Sequence, residues 1–194
     1  ALFDIYNRYV QANYLNVPDG LPSLEAAVQV IQDENGDLSV SQWVAQIQNI
    51  LWETCTYQKD NLESVPDGSN VIEDFFGRQR KGYCTHFASA GVMMLRMAGI
   101  PARYVTGYVI WPDDFKADSA SDGYMADVTG YRGHAWVEVY NASQGIWVPV
   151  DMTPADSVQT SNYLPTQENS GHSESTDNVS NHYTDSTETI SDTG

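Results

Sequence analysis

Positive charge is scarce in this sequence of 194 residues, which has 9 lysines and arginines against 26 aspartates and glutamates. The formal net charge is -17. Nucleic-acid phosphates and anionic lipid headgroups repel so acidic a chain. The composition therefore argues against a nucleic-acid partner and against docking of this chain on a membrane.

Cysteine is scarcer still. The two cysteines, Cys55 and Cys84, are too few for a disulfide scaffold. No run approaches the roughly 18–20 apolar residues that a membrane span requires, and there is no signal-peptide pattern. Because the first residue is Ala1 rather than methionine, we expect the chain to be a processed or excised piece of a longer protein.

The end of the sequence has no lysine or arginine. Serine, threonine, asparagine and acidic residues dominate residues 157–194. So few apolar residues cannot offset the entropy of ordering, which predicts a flexible acidic linker or tail with no role for His172 and His182. The rest, residues 1–156, is long and apolar enough for one domain. Its helical part covers residues 1–70 and its core residues 71–156.

Residues 1–70 are predicted to form a helical scaffold. Apolar residues recur near the helical period in three segments, residues 2–10, 24–31 and 43–51. Ser23 is expected to cap the second helix, and Ser39 or Ser41 the third. Cys55 follows the third apolar stripe, which predicts a buried structural thiol.

Cys84 stands at the head of an apolar run of helical length that Gly99 and Pro101 end. The helix dipole and the free N–H groups of a first turn both favour a thiolate over a thiol. Nearby positive charges would lower the pKa of the thiol further; they are Arg78, Arg80, Lys81 and Arg96. The same basic turn also fits a solvated loop without influence on the thiol.

Segments with the alternation of β-strands follow this helix. Residues 102–111 form the first, and residues 134–140 and 145–151 form a predicted hairpin. Pro149 indicates an edge strand or a bulge, because proline has no N–H to donate. The aspartate-rich residues 112–127 suggest calcium, but their spacing fits no EF-hand loop, so we interpret them as a solvated loop.

The hairpin gives a geometric reason to pair a histidine with an aspartate. If its turn is symmetric about the bond between residues 142 and 143, His134 lies directly opposite Asp151. A bulge at Gly145 would shift this register by one residue. Cys84 would then be the nucleophile, His134 its base, and Asp151 the group that orients the imidazole. Structural roles for each residue, and a metal site made of all three, are the alternatives.

The contacts to an oxyanion or a substrate are less defined. The backbone N–H of Cys84, at the helix start, is suited to hold an oxyanion. Tyr83, Gln79 and Trp136 are further candidates. His86 lies about 200° around the helix from Cys84, so we expect it to have a supporting or surface role.

Three blocks of this sequence resemble those of the transglutaminase-like superfamily. Residues 82–90 (GYCTHFASA) and 95–108 (LRMAGIPARYVTGY) resemble its cysteine block. Residues 134–139 (HAWVEV) resemble its histidine block, and residues 147–154 (WVPVDMTP) its aspartate block, where Asp-Pro-Thr is commoner. The resemblance covers about residues 40–155, and all three blocks occur in the family's order.

This resemblance implies a papain-like α+β fold, in which a cysteine-bearing helix packs on an antiparallel sheet that carries the histidine and the aspartate. It implies acyl transfer on protein or peptide amides through a thioester, with an amine or water as acceptor, and no cofactor. Such domains occur in larger, membrane-anchored bacterial proteins, so we expect an extracytoplasmic domain. The alternative is a dormant module that binds protein or cell wall.

Overall fold

The structure is a computed structural model that describes residues 2–155. The tail predicted over residues 157–194 lies outside the described residues, as do His172 and His182. No helix in the described part is long and apolar enough to cross a membrane.

Helices and short strands alternate along residues 2–155. The helices are α1 (Leu2–Asn13), α2 (Pro22–Asn35), α3 (Val40–Thr54), α4 (Val71–Glu73) and α5 (Cys84–Met97). The strands are β1 (Thr56–Tyr57), β2 (Lys81–Gly82), β3 (Ala102–Tyr108), β4 (Lys116–Asp118), β5 (Gly123–Met125), β6 (Gly133–Asn141) and β7 (Ile146–Val150). A π-helix (Asp74–Gln79) continues α4, and 3₁₀ turns occupy Pro112–Asp114 and Gly130–Arg132.

The main sheet is antiparallel and has three strands in the order β3-β6-β7. Strand β7 is at the edge, as the proline within it indicated. Strands β1 and β2 form a separate parallel ribbon, and β4 pairs with β5 in a hairpin. A simple loop over residues 112–127 was therefore a wrong prediction. The Asp118 carboxylate accepts hydrogen bonds from the Ala120 N–H and the Ser121 hydroxyl, which stabilises the hairpin turn.

Helix α5 is the centre of the core. It begins at Cys84, directly after the extended Tyr83, and Gly99, with a φ of 78°, follows its end. Its buried residues lie on most sides of the helix; they are Cys84, Phe87, Ala88, Ala90, Gly91, Val92, Met94 and Leu95. Helices α2 and α3 and strand β6 pack around it. The prediction of a helix buried on most sides is confirmed.

The second cysteine belongs to this core. Cys55 directly follows α3 and is only 4% exposed. Burial raises the pKa of its thiol to about 12 against a smaller opposing effect of the Arg80 charge. The prediction of a buried structural thiol is confirmed, and a thiol with so high a pKa is a poor nucleophile.

The caps of α2 and α3 differ from each other. Ser39 caps α3 in a capping box, in which its hydroxyl accepts from the Gln42 N–H and its own N–H donates to the Gln42 side chain. Ser23 does not cap α2, because the helix already begins at Pro22, the first-turn position that proline favours. The Ser23 N–H and hydroxyl instead donate to the Glu73 carboxylate.

Helix α1 packs beside β6 and β7 through aromatic side chains. The Tyr140 hydroxyl donates to Asn7 Oδ1 at 2.5 Å, and Trp147 Nε1 donates to the Tyr6 hydroxyl at 2.8 Å. Because side chains alternate along a strand, Tyr140 lies on the opposite face of the sheet from the buried Val139. The helix thus covers the face that α5 leaves open.

We expect Gly91→Ala to destabilise the domain by about 1–3 kcal/mol, because α5 has no room for an added methyl group. A Cβ at Gly91 would lie 2.5 Å from Met152 Cγ. In a Met152→Ala background, Gly91→Ala should instead stabilise the domain, because the methyl group then has room and alanine has a helix propensity up to about 1 kcal/mol better than glycine. Urea unfolding of the four variants measures both effects. The same change in both backgrounds would contradict this packing.

Candidate active site

An open cleft of about 650 Å³ lies where the N-terminus of α5 meets β3 and the start of β6. Cys84 and His134 both line it. Its walls come from Tyr83 and Thr85 at the start of α5, and from Thr106, Gly107 and Tyr108 at the end of β3. The cleft therefore gives the predicted nucleophile and base a common, solvent-accessible surface.

Cys84 is 7% exposed, and its thiol is free of any disulfide. Burial raises its pKa, but a hydrogen bond with the His134 side chain, one with the Ala135 backbone and the charge of His134 outweigh that effect. The net pKa of Cys84 is lowered. The thiol is thus activated by its contact with the imidazole.

His134 lies between the thiol and a carboxylate. Its Nε2 is 2.7 Å from Asp151 Oδ2, which leaves Nδ1 as the ring nitrogen that faces Cys84. Burial lowers the pKa of this largely buried imidazole, but the hydrogen bonds and charges of Asp151 and Cys84 raise it to about 9. The lowered pKa of Cys84 and the raised pKa of His134 both favour a thiolate–imidazolium pair over the neutral pair.

Asp151 is held mainly through the backbone. It follows β7 directly, and its Oδ1 accepts from the Thr153 N–H at 2.9 Å. Gln48 Nε2 donates to the Asp151 carbonyl at 2.8 Å, and Trp52 Nε1 donates to the Met152 carbonyl at 2.9 Å. Both donors come from α3, so this helix fixes the carboxylate without touching it.

Sequence reasoning missed Gln48 and Trp52. Their spacing of four residues places them on one face of α3, next to the apolar stripe. Polar groups at the border of a buried helix face are the signal that could have identified them. Nothing in the sequence indicates that their partners are the carbonyls after β7.

The predicted hairpin register was wrong by two residues. Asn141 pairs with Ile146, and Val137 with Val150, so His134 does not lie opposite Asp151. The cause is a four-residue loop, in which Asn141 Oδ1 accepts from the N–H groups of residues 143 and 144. A shift of two residues keeps every side chain on its face, so the imidazole still reaches the carboxylate as a diagonal neighbour.

Gln79 is not in the cleft. Its Nε2 donates to Asp74 Oδ2 at 2.5 Å and to the Glu63 carbonyl at 3.0 Å, and its Oε1 accepts from the Glu63 N–H. The carboxamide is fully used in joining the π-helix to the preceding loop. We therefore do not retain Gln79 as an oxyanion donor.

Tyr83 and Trp136 border the site in different ways. Tyr83 lines the cleft, and its N–H donates to His86 Nδ1 at 3.3 Å, so His86 supports the start of α5. Trp136 stacks beside His134 with ring centroids 6.4 Å apart, and its ring covers Gly107, where a Cβ would come within 2.7 Å. Its place favours the positioning of the imidazole over contact with a substrate.

The basic residues near Cys84 do not shift its pKa. Arg78 pairs with Asp74 and Glu63, and Arg96 donates to the carbonyls of Asn16 and Ala102. Arg80 and Lys81 are exposed, and the effects that lower the pKa of Cys84 come from His134 and from backbone groups. The expectation that the basic turn activates the thiol was therefore wrong. Among residues 2–155 no group of three or more His, Cys, Asp and Glu side chains is placed to hold a metal ion.

A family model of the transglutaminase-like superfamily matches residues 25–152. The chain belongs to this superfamily. The uncharacterized protein YebA of Bacillus subtilis (strain 168) is 33% identical over 143 residues, which are 72% of this chain and 19% of YebA. A protein-glutamine gamma-glutamyltransferase of Pseudomonas aeruginosa is 38% identical over 92 residues, 47% of this chain and 13% of that protein. The chain thus spans less than a fifth of the length of each of these two relatives.

Two solved structures are similar as well. The periplasmic domain of TgpA from Pseudomonas aeruginosa has a TM-score of 0.59 at 27% identity, covering 75% of this chain and 47% of that one. Its ethylmercury-bound form gives a TM-score of 0.58 at 29% identity, covering 75% and 49%. These similarities confirm the predicted α+β, transglutaminase-like fold.

We expect iodoacetamide at pH 7 to modify Cys84 at least about a hundredfold faster than Cys55, because a lowered pKa and an open cleft favour Cys84. Peptide mass spectrometry of the native protein gives both rates. In denaturant the two cysteines should react alike. His134→Ala should slow Cys84 by removing the group that lowers its pKa. Equal rates in the native protein would contradict an activated thiol.

We expect Asp151→Asn to lower the pKa of His134 from about 9 toward its ordinary value, since the carboxylate charge is lost while Oδ1 can still accept from Thr153. A raised histidine pKa contributes stability that is complete below about pH 6.5 and is lost as the pH rises through about 9. The stability difference between wild type and variant should therefore shrink across that window. Proton NMR of the imidazole and urea unfolding at both ends measure these effects; an unchanged titration would refute the contact.

Proposed function

We propose that this domain is a cysteine acyltransferase or hydrolase that acts on protein or peptide amides through a thioester. The observation that supports this most strongly is the imidazole of His134, which contacts the Cys84 thiol on one side and the Asp151 carboxylate on the other, at an open cleft. A nucleophile, its base and an orienting group in this order are what covalent amide chemistry needs.

The first half-reaction forms the thioester. The Cys84 thiolate attacks the amide carbonyl carbon, and the electron pair of the C=O bond moves to the oxygen. The N–H of Cys84, the first residue of α5, has no acceptor within the helix and is available to this oxyanion. The C–N bond then breaks, and the departing nitrogen takes a proton from the His134 imidazolium.

The second half-reaction regenerates the thiolate. Neutral His134 removes a proton from water or from an amine, which attacks the thioester carbonyl as the C–S bond breaks. Water yields a carboxylic acid, by deamidation or peptide cleavage, and an amine yields a cross-linked amide. Asp151 keeps the imidazole oriented and stabilises its cation in both half-reactions.

The names of the similar proteins support a more specific substrate class and a cellular location for this domain. One relative is named a protein-glutamine gamma-glutamyltransferase, and the similar solved domain is periplasmic. We therefore propose the glutamine side-chain amide as acyl donor, a protein or peptide as partner, and an extracytoplasmic site of action. The strongly acidic chain is also unsuited to a nucleic-acid partner.

We expect the wild-type protein to modify a glutamine-rich protein in the presence of a primary amine, and Cys84→Ala to abolish this activity. Mass spectrometry distinguishes amine incorporation, deamidation and chain cleavage. Because Cys84 borders the cleft, its truncation should change the free energy of unfolding by less than about 1 kcal/mol.

Cys55→Ala is the matched control. It also removes a thiol but should retain activity, since Cys55 lies in the core away from the cleft lining. Activity that persists in Cys84→Ala would exclude the thioester mechanism. A wild-type protein that binds such substrates without converting any of them would instead support the dormant binding module.

A further inference from the structure

Several basic residues that form no salt bridge in the described part of the chain lie close together beside the cleft. Three of the nine basic residues have their charges paired with carboxylates in salt bridges; they are Arg78, Arg103 and Arg132. Lys59, Arg80 and Lys81 are exposed on or next to the β1–β2 ribbon, and none forms a salt bridge within the described ranges. This ribbon leads directly into the start of α5.

Lys59 is the member of this group that lines the cleft with Cys84 and His134. The ribbon fixes its place: Tyr57 pairs with Gly82, and two residues further along each chain come Lys59 and Cys84. No aspartate or glutamate is among the cleft-lining residues that the structure describes. Among these described lining residues, the Lys59 ammonium group therefore carries the charge that does not depend on the protonation of Cys84 or His134.

The backbone around Lys59 is held on both sides. The Gln58 N–H donates to the Gly82 carbonyl at 2.7 Å, which extends the ribbon by one bond. Gln58 Nε2 donates to the Asp60 carbonyl at 2.6 Å, which fixes the chain after the lysine. A firmly held backbone with an unpaired charged side chain is suited to bind a ligand group, because binding orders only the side chain.

We propose that Lys59 makes this cleft selective for acyl donors that carry a carboxylate close to the reacting amide, as in a glutamine flanked by acidic residues. This assignment rests on the proposed amide chemistry of Cys84. A net charge of -17 repels acidic peptides in general, so a local cation is needed for one to approach this thiol. The neighbouring Arg80 and Lys81 add to the same local field.

The first experiment needs no turnover. Iodoacetate carries a carboxylate and iodoacetamide does not, so the ratio of their rates at Cys84 reports how strongly the cleft attracts an anion. We expect this ratio to fall about threefold in Lys59→Gln and about tenfold in Lys59→Glu. The control is Lys116→Gln, which removes an exposed lysine on β4, away from the cleft lining. Unchanged ratios in both Lys59 variants would overturn the proposal.

The second experiment measures selectivity. Two glutamine peptides, one with flanking glutamates and one with flanking serines, are compared by kcat/KM in wild type, Lys59→Gln and Lys116→Gln. We expect wild type and Lys116→Gln to prefer the acidic peptide about threefold or more, and Lys59→Gln to lose most of this preference. Added salt should weaken the preference in wild type.

The outcomes separate the two proposals. Turnover of both peptides with no preference for the acidic one would overturn the role of Lys59 and leave the amide chemistry intact. No turnover of any peptide by the wild type would overturn the proposed function and, with it, the substrate assignment. The alkylation ratio would still show whether Lys59 attracts an anion to the thiol.

Discussion

The contact between His134 and Asp151 is the constraint on which the rest of the site depends. It raises the pKa of the imidazole, and the charged imidazole in turn lowers the pKa of Cys84. The contact joins the central strand β6 to the segment after β7 that α3 anchors, and His134 in turn contacts Cys84 at the α5 N-terminus. A disturbance in the segment after β7 therefore reaches Cys84 through this hydrogen bond and the imidazole.

Much of the fold could be read from the sequence, because its main signals are local. The apolar run after Cys84 predicted the buried helix, and the Ser39 cap is a short-range motif. Alternation predicted which residues of β6 face the core. The hairpin register failed because a side chain, that of Asn141, decides how long the loop is, and alternation carries no information on loop length.

The site was predictable in its residues and less so in its causes. Cys84, His134 and Asp151 can be picked out of the sequence by their residue types and positions, whereas the cause of the lowered Cys84 pKa cannot. Arg78 near Cys84 in sequence suggested an electrostatic effect, yet Asp74 and Glu63 hold its charge. Pairings of this kind join residues far apart in the chain or across a π-helix, and a linear reading of charge does not reveal them.

The way Asp151 is anchored separates two properties that usually change together. Gln48 and Trp52 hold the carbonyl groups of residues 151 and 152, while the Asp151 side chain is 41% exposed. A residue has the same backbone carbonyl group whatever its side chain is. Helix α3 therefore fixes where residue 151 lies, whereas the side chain of residue 151 supplies the charge. A substitution at this residue can thus change the acidity of the site without changing its shape.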